Sequence, residues 1–407
     1  MEYVTAREAA RKWNISVRLV QQFCVDGRIE GARKFSGAWA IPADAQKPSD
    51  GRKKVEPAGP AQAGPELAPD RPDPAAYLTP MPLMNAAFTP GRCLEYVEEI
   101  RDSRLRDIAR AEYHYFSGHA EEAAREAELY LSHSDLTLRL SACLIYIFAN
   151  LSLGQIQQAQ YTLMEVRNTL ASADGRMPPQ LRAAAVFIVA TAAVLLHLPL
   201  PEGADTLQEQ IRFLPPGLRM FALYVQAHYT YLQGDYGRSL GIVETAFAMQ
   251  TEVFPIPSIY LHLVAVMDYM SLKQPELAQA HLLAGWKLAQ PDDLIEAFGE
   301  HHGLLGGMLE AVLKKDWPED FKRIIAITYR FSAGWRRVHN PVTGDHVADN
   351  LTTTEFATAM LAVRGWTNQE IAAHLGVSPN TVKQHISSTL LKLGIKQRKD
   401  LKRYMLR

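Results

Sequence analysis

NQEIAAHLGVSPNTVKQHI, residues 368–386, places a glycine between two helical patterns and carries no catalytic constellation. The first helix opens at Thr367 with Glu370 three residues on. That is a capping box, in which each side chain satisfies an orphan amide of the first turn. Gly376 then sits in the turn, where a positive φ is often needed. Ser378 can cap the next helix, and Pro379 follows at its first position, where a missing N–H costs nothing. Working outward, Thr352 and Glu355 repeat the capping box at the start of an earlier helix, which Gly365 ends. Three helices joined by tight turns are expected.

The third helix divides into two faces. Val382, Ile386, Leu390 and Leu393 follow helical spacing and are expected to pack on Leu361, Ile371 and Leu375. Asn380, Lys383, Gln384 and Ser387 share the other side, which holds a cation, two amides and a hydroxyl but no carboxylate. A major groove accepts such a face: Lys reads guanine, and Asn or Gln pairs with adenine. Thr381 and His385 flank it, within reach of phosphate. The terminal KQRKDLKRYMLR adds positive charge, with Arg398 and Lys399 as candidate phosphate contacts.

These residues resemble the LuxR-type helix-turn-helix. Its pattern stands here as LTTTE (351–355), NQEIAAHL (368–375), SPNTVKQH (378–385) and KLG (392–394), over about 55 residues. Several fixed spacings agree at once. The resemblance implies a transcriptional regulator of bacterial type whose third helix enters the groove of double-stranded DNA. It also implies a fourth helix, near 397–405, that pairs two copies into a homodimer on DNA, with Leu401, Tyr404 and Met405 available for the pairing. A contact with RNA polymerase belongs to the same expectation. Phe356 departs from the family pattern, which has a charged or polar residue there. The competing reading of the motif is a three-helix module that uses its third helix for protein contact.

The other end repeats the logic. In TAREAARKWNISVRLVQQFCVDGRIEGARKFSGAWAIP (5–42), Thr5 and Glu8 make a capping box, and Ala9, Ala10 and Trp13 supply an apolar stripe. Ser16 can cap a second helix ending near Gly27, and residues 28–42 alternate as a short hairpin. Arg18, Gln21 and Gln22 are placed to face a groove, and Arg33, Lys34 and Ser36 to sit on the hairpin near a backbone. Residues 1–47 are similar to MerR- and excisionase-like winged helices, which implies a second DNA contact. Asp26 and Glu30 dilute its charge, and a small protein-docking module is the other reading.

Between the ends, residues 48–82 are rich in Pro, Gly and Ala without apolar periodicity, so they read as a linker. The next domain is expected over 83–338, and from about 92 to 338 its pattern reads as helical throughout. Turns are expected at Gly118 and Gly154, near Leu198, at Gly234, and near Gln274 and Lys315, 36 to 44 residues apart. Stacked helix pairs produce such a period. The segment resembles tetratricopeptide-type repeats, most clearly at YLQGDYGRSLGIVETA (231–246), though the spacing departs from theirs. Such arrays form concave grooves for peptides or partner helices, so this segment is the expected sensor of a peptide or protein effector. Tyr224, Tyr229, Tyr231, Tyr260 and Tyr269 are candidates to line a groove; as single residues, helix packing is their commoner use. A polar break at 339–350 precedes the last domain, 351–407.

Charge follows this division. Residues 1–54 hold 11 Lys and Arg against 6 Asp and Glu, residues 351–407 hold 9 against 3, and residues 55–350 hold 23 against 35. Basic ends suit a polyanion, which the acidic middle repels. Cys24, Cys93 and Cys143 form no CxxC pair, so free buried thiols are expected. The opening MEYVTAREAARKW has no apolar core of a signal peptide, and the apolar run 183–196 is too short to span a bilayer. A cytoplasmic location follows as an expectation. His301 and His302 beside Glu300 point about 100° apart on a helix, a poor metal face, and His339 and His346 lack cysteine partners. No phosphate loop or nucleophile elbow stands out. Neither enzyme activity, a cofactor nor a metal is expected. The fold expected is mainly α, with helix-turn-helix modules at both ends of an α-helical repeat array and a small β-hairpin wing at the N-terminus. A scaffold whose terminal modules bind proteins is the second functional reading.

Overall fold

A computed structural model describes residues 3–47, 79–172, 177–195, 207–339 and 351–402, apart from positions 14, 16, 26, 30, 36 and 37. Side chains of residues 3, 18, 35, 38 and 332–339 are likewise outside the description. The chain divides into two compact units, residues 1–71 and 72–407.

In the first unit, β1 (Tyr3–Thr5) leads directly into α1 (Ala6–Trp13), followed by α2 (Val17–Val25), β2 (Arg33–Phe35) and β3 (Ala38–Pro42). The Glu8 carboxylate accepts from the Thr5 amide at 2.8 Å, and the Glu8 amide donates to the Thr5 hydroxyl at 3.3 Å, closing the capping box. Trp13, Val20, Phe23, Ile29 and Ile41 fill a core of their own. The hairpin β2–β3 forms as expected, but β1 adds a third antiparallel strand on the far side of β3, with Val4 opposite Ile41. A strand of three residues has too little alternation to be read from sequence.

The second unit begins earlier than the linker composition implies. Met81, Leu83 and Met84 are buried. Their amides are held by the Ser141 hydroxyl at 2.9 Å and by the Glu112 carboxylate at 3.2 and 2.7 Å. Residues 48–78 of the expected linker lie outside the described residues.

The array starts with α3 (Cys93–Glu99), α4 (Ser103–Phe116), α5 (Ala120–Glu128), α6 (Leu136–Ser152), α7 (Ile156–Ala171) and α8 (Pro179–Leu195). It continues through α9 (Leu207–Gln210), α10 (Pro216–Leu232), α11 (Tyr236–Met249), α12 (Pro255–Ser271) and α13 (Pro275–Ala289). Helices α4, α6, α8, α10 and α12 touch in succession as an inner layer, and α5, α7, α11 and α13 lie outside it. The turns at Gly118, Gly154, Gly234 and Gln274 fall between consecutive helices; the one near Leu198 lies outside the described residues.

The chain then fills its own inner surface. Helix α14 (Glu296–His301) packs against α4 and α12, and α16 (Pro318–His339) against α6 and α7. A π-helical turn (Leu309–Leu313) and α15 (Lys314–Asp316) join them, where a single turn near Lys315 was expected. The Tyr115 and Tyr260 hydroxyls donate to Glu300, the latter at 2.9 Å. His301 Nδ1 bonds the Ala297 carbonyl at 2.8 Å, which leaves Nε2 to accept from the Tyr224 hydroxyl at 3.0 Å. Glu296 accepts from Ser152 at 2.8 Å and pairs with Arg330 at 3.1 Å. Tyr224, Tyr231 and Tyr260 are therefore core residues, not the lining of an open groove, whereas Tyr229 and Tyr269 are half-buried. Buried carboxylates need such partners, because an unpaired charge in the interior is costly.

Helices α17 (Thr353–Val363), α18 (Asn368–Leu375) and α19 (Pro379–Lys392) complete the chain, followed by a 3₁₀ turn (Arg398–Leu401). Residues 340–350 of the expected second linker lie outside the described residues. The observed architecture is mainly α, with one small sheet near the N-terminus. None of the described helices is long and apolar enough to cross a membrane. Cys24, Cys93 and Cys143 are buried and free.

Candidate nucleic-acid interface

Local chemistry sets the C-terminal domain. Thr352 and Thr367 both close capping boxes, with the Thr352 amide donating to Glu355 at 2.8 Å and the Thr367 amide to Glu370 at 2.5 Å. Gly376 takes φ +67°, a conformation that a side chain disfavours, and so turns the chain from α18 into α19. The Ser378 hydroxyl accepts from the Thr381 amide at 3.0 Å, and Pro379 occupies the first helical turn. Val382, Ile386 and Leu393 bury against a core that includes Leu361 and Ile371.

Burying that stripe forces the opposite stripe out. Asn380, Lys383, Gln384 and Ser387 are all exposed on one side of α19. Thr381 and His385 are half-buried at its edges, with the Thr381 hydroxyl 2.8 Å from that of Ser378. Lys399 is exposed.

Two expected contacts are used otherwise. Arg398 was placed at a phosphate, but its guanidinium donates to Asn368 Oδ1 at 2.6 Å and to the Trp366 carbonyl, tying the 3₁₀ turn to the start of α18. Leu401 was placed on a pairing surface, but it is fully buried against α17 and α19. Tyr404 and Met405 lie outside the described residues.

Sequence reasoning assigned Glu355 only a cap, and here it does more. Besides the Thr352 amide, it accepts from Ser388 at 2.6 Å and from Lys392 at 2.7 Å, so it fixes the roll of α19 against α17. Burial would raise this carboxyl; the Lys392, Ser388 and Thr352 donors overcome that and hold it at about 2. Spacing alone carried no signal for this pairing, because Glu355 and Lys392 are 37 residues apart.

In the N-terminal unit, Gln21 and Gln22 are exposed on α2, and Arg33 and Lys34 are exposed on β2. The Arg18 side chain and Ser36 lie outside the described residues. Among the described residues, no group of three or more His, Cys, Asp or Glu side chains is arranged to hold a metal ion.

Residues 349–405 match the family of bacterial regulatory proteins known as the luxR family. No curated protein and no solved structure matches the chain. The C-terminal segment is thus a luxR-family helix-turn-helix domain, and such a domain implies a DNA-binding transcriptional regulator.

Proposed function

We propose that the chain reads promoter DNA by inserting α19 into the major groove, with Asn380, Lys383, Gln384 and Ser387 toward the base edges. Thr381, His385 and Lys399 are the neighbouring phosphate contacts. The observation that carries this reading is the uncovered polar stripe of α19, which lacks a carboxylate and stands beside a fully packed core. Two copies on two half-sites would double the contacts, and an RNA polymerase contact belongs to the same role. Arg398 and Leu401 drop out of the contact set, because both are spent inside the domain.

The N-terminal unit, as a MerR- or excisionase-like winged helix, supplies a second DNA contact through α2 and β2. On one DNA molecule the two ends would raise each other's effective concentration. The tetratricopeptide-like array receives a peptide or protein signal. With its inner layer covered by α14 and α16, a candidate site for that signal among the described residues is a cleft of about 720 Å³. Leu140, Tyr146, Gln158, Tyr161 and Glu165 are among its lining residues, between α6 and α7.

Lys383→Ala is expected to cost about 2 kcal/mol of operator affinity and to relax specificity at one base position. Selection from genomic fragments, followed by titration of the enriched duplex at physiological salt, measures both. Equal enrichment and affinity with Lys383→Ala would remove α19 as the reader.

A further inference from the structure

The turn between α12 and α13 departs from three other turns of the array. In those the left-handed residue is a glycine: Gly118 at φ +86°, Gly154 at φ +71° and Gly234 at φ +81°. Between α12 and α13 it is Lys273, at φ +59°. A side chain in that region crowds its own backbone, so the lysine stands there against local preference. Its ammonium donates to the Gly365 carbonyl at 2.8 Å and lies 3.7 Å from the Glu370 carboxylate. Lys273 and Glu370 both line a cleft of about 530 Å³. That volume is within the roughly 300–1,000 Å³ of small-molecule sites.

Donors gather at one end of this cleft. Trp366 lines it while only 5% exposed, and its indole N–H has no hydrogen-bond partner among the described residues. Gly365, which holds the Lys273 ammonium, is the residue before Trp366, so cation and indole lie side by side. Helix α13 also begins here, and the side chain of its N-cap Gln274 accepts from none of the first-turn amides. The positive pole of that helix therefore favours an anion. An orphan buried donor is costly until an acceptor reaches it.

The other sides differ. Glu276 and Glu370 bring two carboxylates, and Met308, Ala311 and Val312 an apolar surface at the π-helical turn. His374 adds no charge, because burial lowers its pKa; its Nε2 meets the Gly306 carbonyl at 3.2 Å. A simple anion would be repelled by the carboxylates. A simple cation would leave the indole N–H unmatched. A molecule carrying both charges uses both sets of groups. The 3.7 Å between Lys273 and Glu370 suits charges carried on a single carbon.

We propose that this cleft binds a small zwitterion, an α-amino acid with an apolar side chain. Its carboxylate accepts from Trp366 Nε1 and the Lys273 ammonium, its ammonium lies at Glu276 and Glu370, and its side chain covers Met308, Ala311 and Val312. The site is separate from the cleft between α6 and α7, and it does not depend on the reading of DNA by α19.

Equilibrium dialysis of labelled L-leucine and L-phenylalanine against the full chain, without DNA, tests this. Both are expected to bind saturably. N-acetyl-L-leucine, L-leucinamide and glycine each lack one recognised group and should bind at least about tenfold more weakly. Lys273→Gly removes the ammonium while relieving the backbone, so leucine affinity should drop about tenfold with the melting temperature near that of the parent. Trp366→Phe keeps a ring, loses the N–H and is expected to weaken binding as much. Lys273→Gly decides the matter if Trp366→Phe fails to fold. Leucine binding unchanged in Lys273→Gly would overturn the site. Equal binding of N-acetyl-L-leucine, or tighter binding of leucyl-leucine, would overturn the amino acid as its ligand. Absence of binding by either amino acid at millimolar concentration would overturn the proposal outright.

Discussion

Raising the pH from about 6.5 to 8.5 is expected to destabilise the array by about 4 kcal/mol, through Asp268 and Glu112. Burial pushes each of these carboxyls up to about 8. For Glu112 it does so despite the amides of Leu83 and Met84, which favour the charged form. The unfolded chain releases both protons near pH 4. Between those values the folded state holds protons that the unfolded state lacks, so stability falls as pH rises and levels off above about 8. The buried pair Glu296 and Glu300 is raised by burial too and acts in the same direction. Histidines act oppositely, but lower down. His262 at about 3 and His301 at about 4 are kept neutral by burial, and their effect is spent once the unfolded chain has lost its imidazolium protons, by about pH 7.

Asp268→Asn is the diagnostic variant, because an amide keeps the shape of the neutral carboxyl beside Ser239 and Arg364 and removes only its titration. The nearby Ser239 hydroxyl is given to the Ala227 carbonyl. Denaturant midpoints read by helical circular dichroism from pH 6 to 9 should fall for the unmodified chain and fall less for Asp268→Asn. Parallel curves would show that Asp268 keeps its charge on folding. Glu112→Gln is less clean, because an amide presents one acceptor to two backbone donors.

The C-terminal helices were legible because their signals are local. Thr352 with Glu355, Thr367 with Glu370, Gly376, Ser378 and Pro379 each decide a backbone conformation within a few residues. The exposed stripe of α19 follows from helical period alone. Most turns of the array were legible for the same reason. What escaped depends on distant partners. Glu296 and Glu300 are one helical turn apart, and such a pair usually marks a solvated face. Only the packing of α14 onto α4 and α12 turns that face inward, and with it Tyr224 and Tyr260. Gly303, Gly306 and Gly307 carry no local signal of a use; it appears only when Phe356, Arg364 and Leu375 occupy the space they leave. Arg398 and Leu401 show the converse. The sequence marks a cation and an apolar residue near a terminus, but not that Asn368 and α17 already use them.

Glu355→Ala is expected to cost the C-terminal domain about 3 kcal/mol and to weaken DNA binding, although Glu355 is buried behind the reading face. Its carboxylate receives three donors, from Thr352, Ser388 and Lys392, and they hold it at about 2 against the burial that would raise it. Because that value is depressed, its stabilisation is fully present above about pH 4.5 and is lost as pH falls toward 2. The alanine variant should therefore match the parent near pH 2 and fall short of it at neutral pH, with Glu355→Gln between them. On DNA the loss differs from that of Lys383→Ala. A reader that binds with a misplaced α19 should lose affinity across all base positions, since every side chain from Asn380 to Ser387 moves with the helix, whereas Lys383→Ala loosens one position. Unchanged melting and unchanged operator affinity for Glu355→Ala would mean that Val382 and Ile386, packed on the domain core, set the roll of α19 without help from the charge behind it.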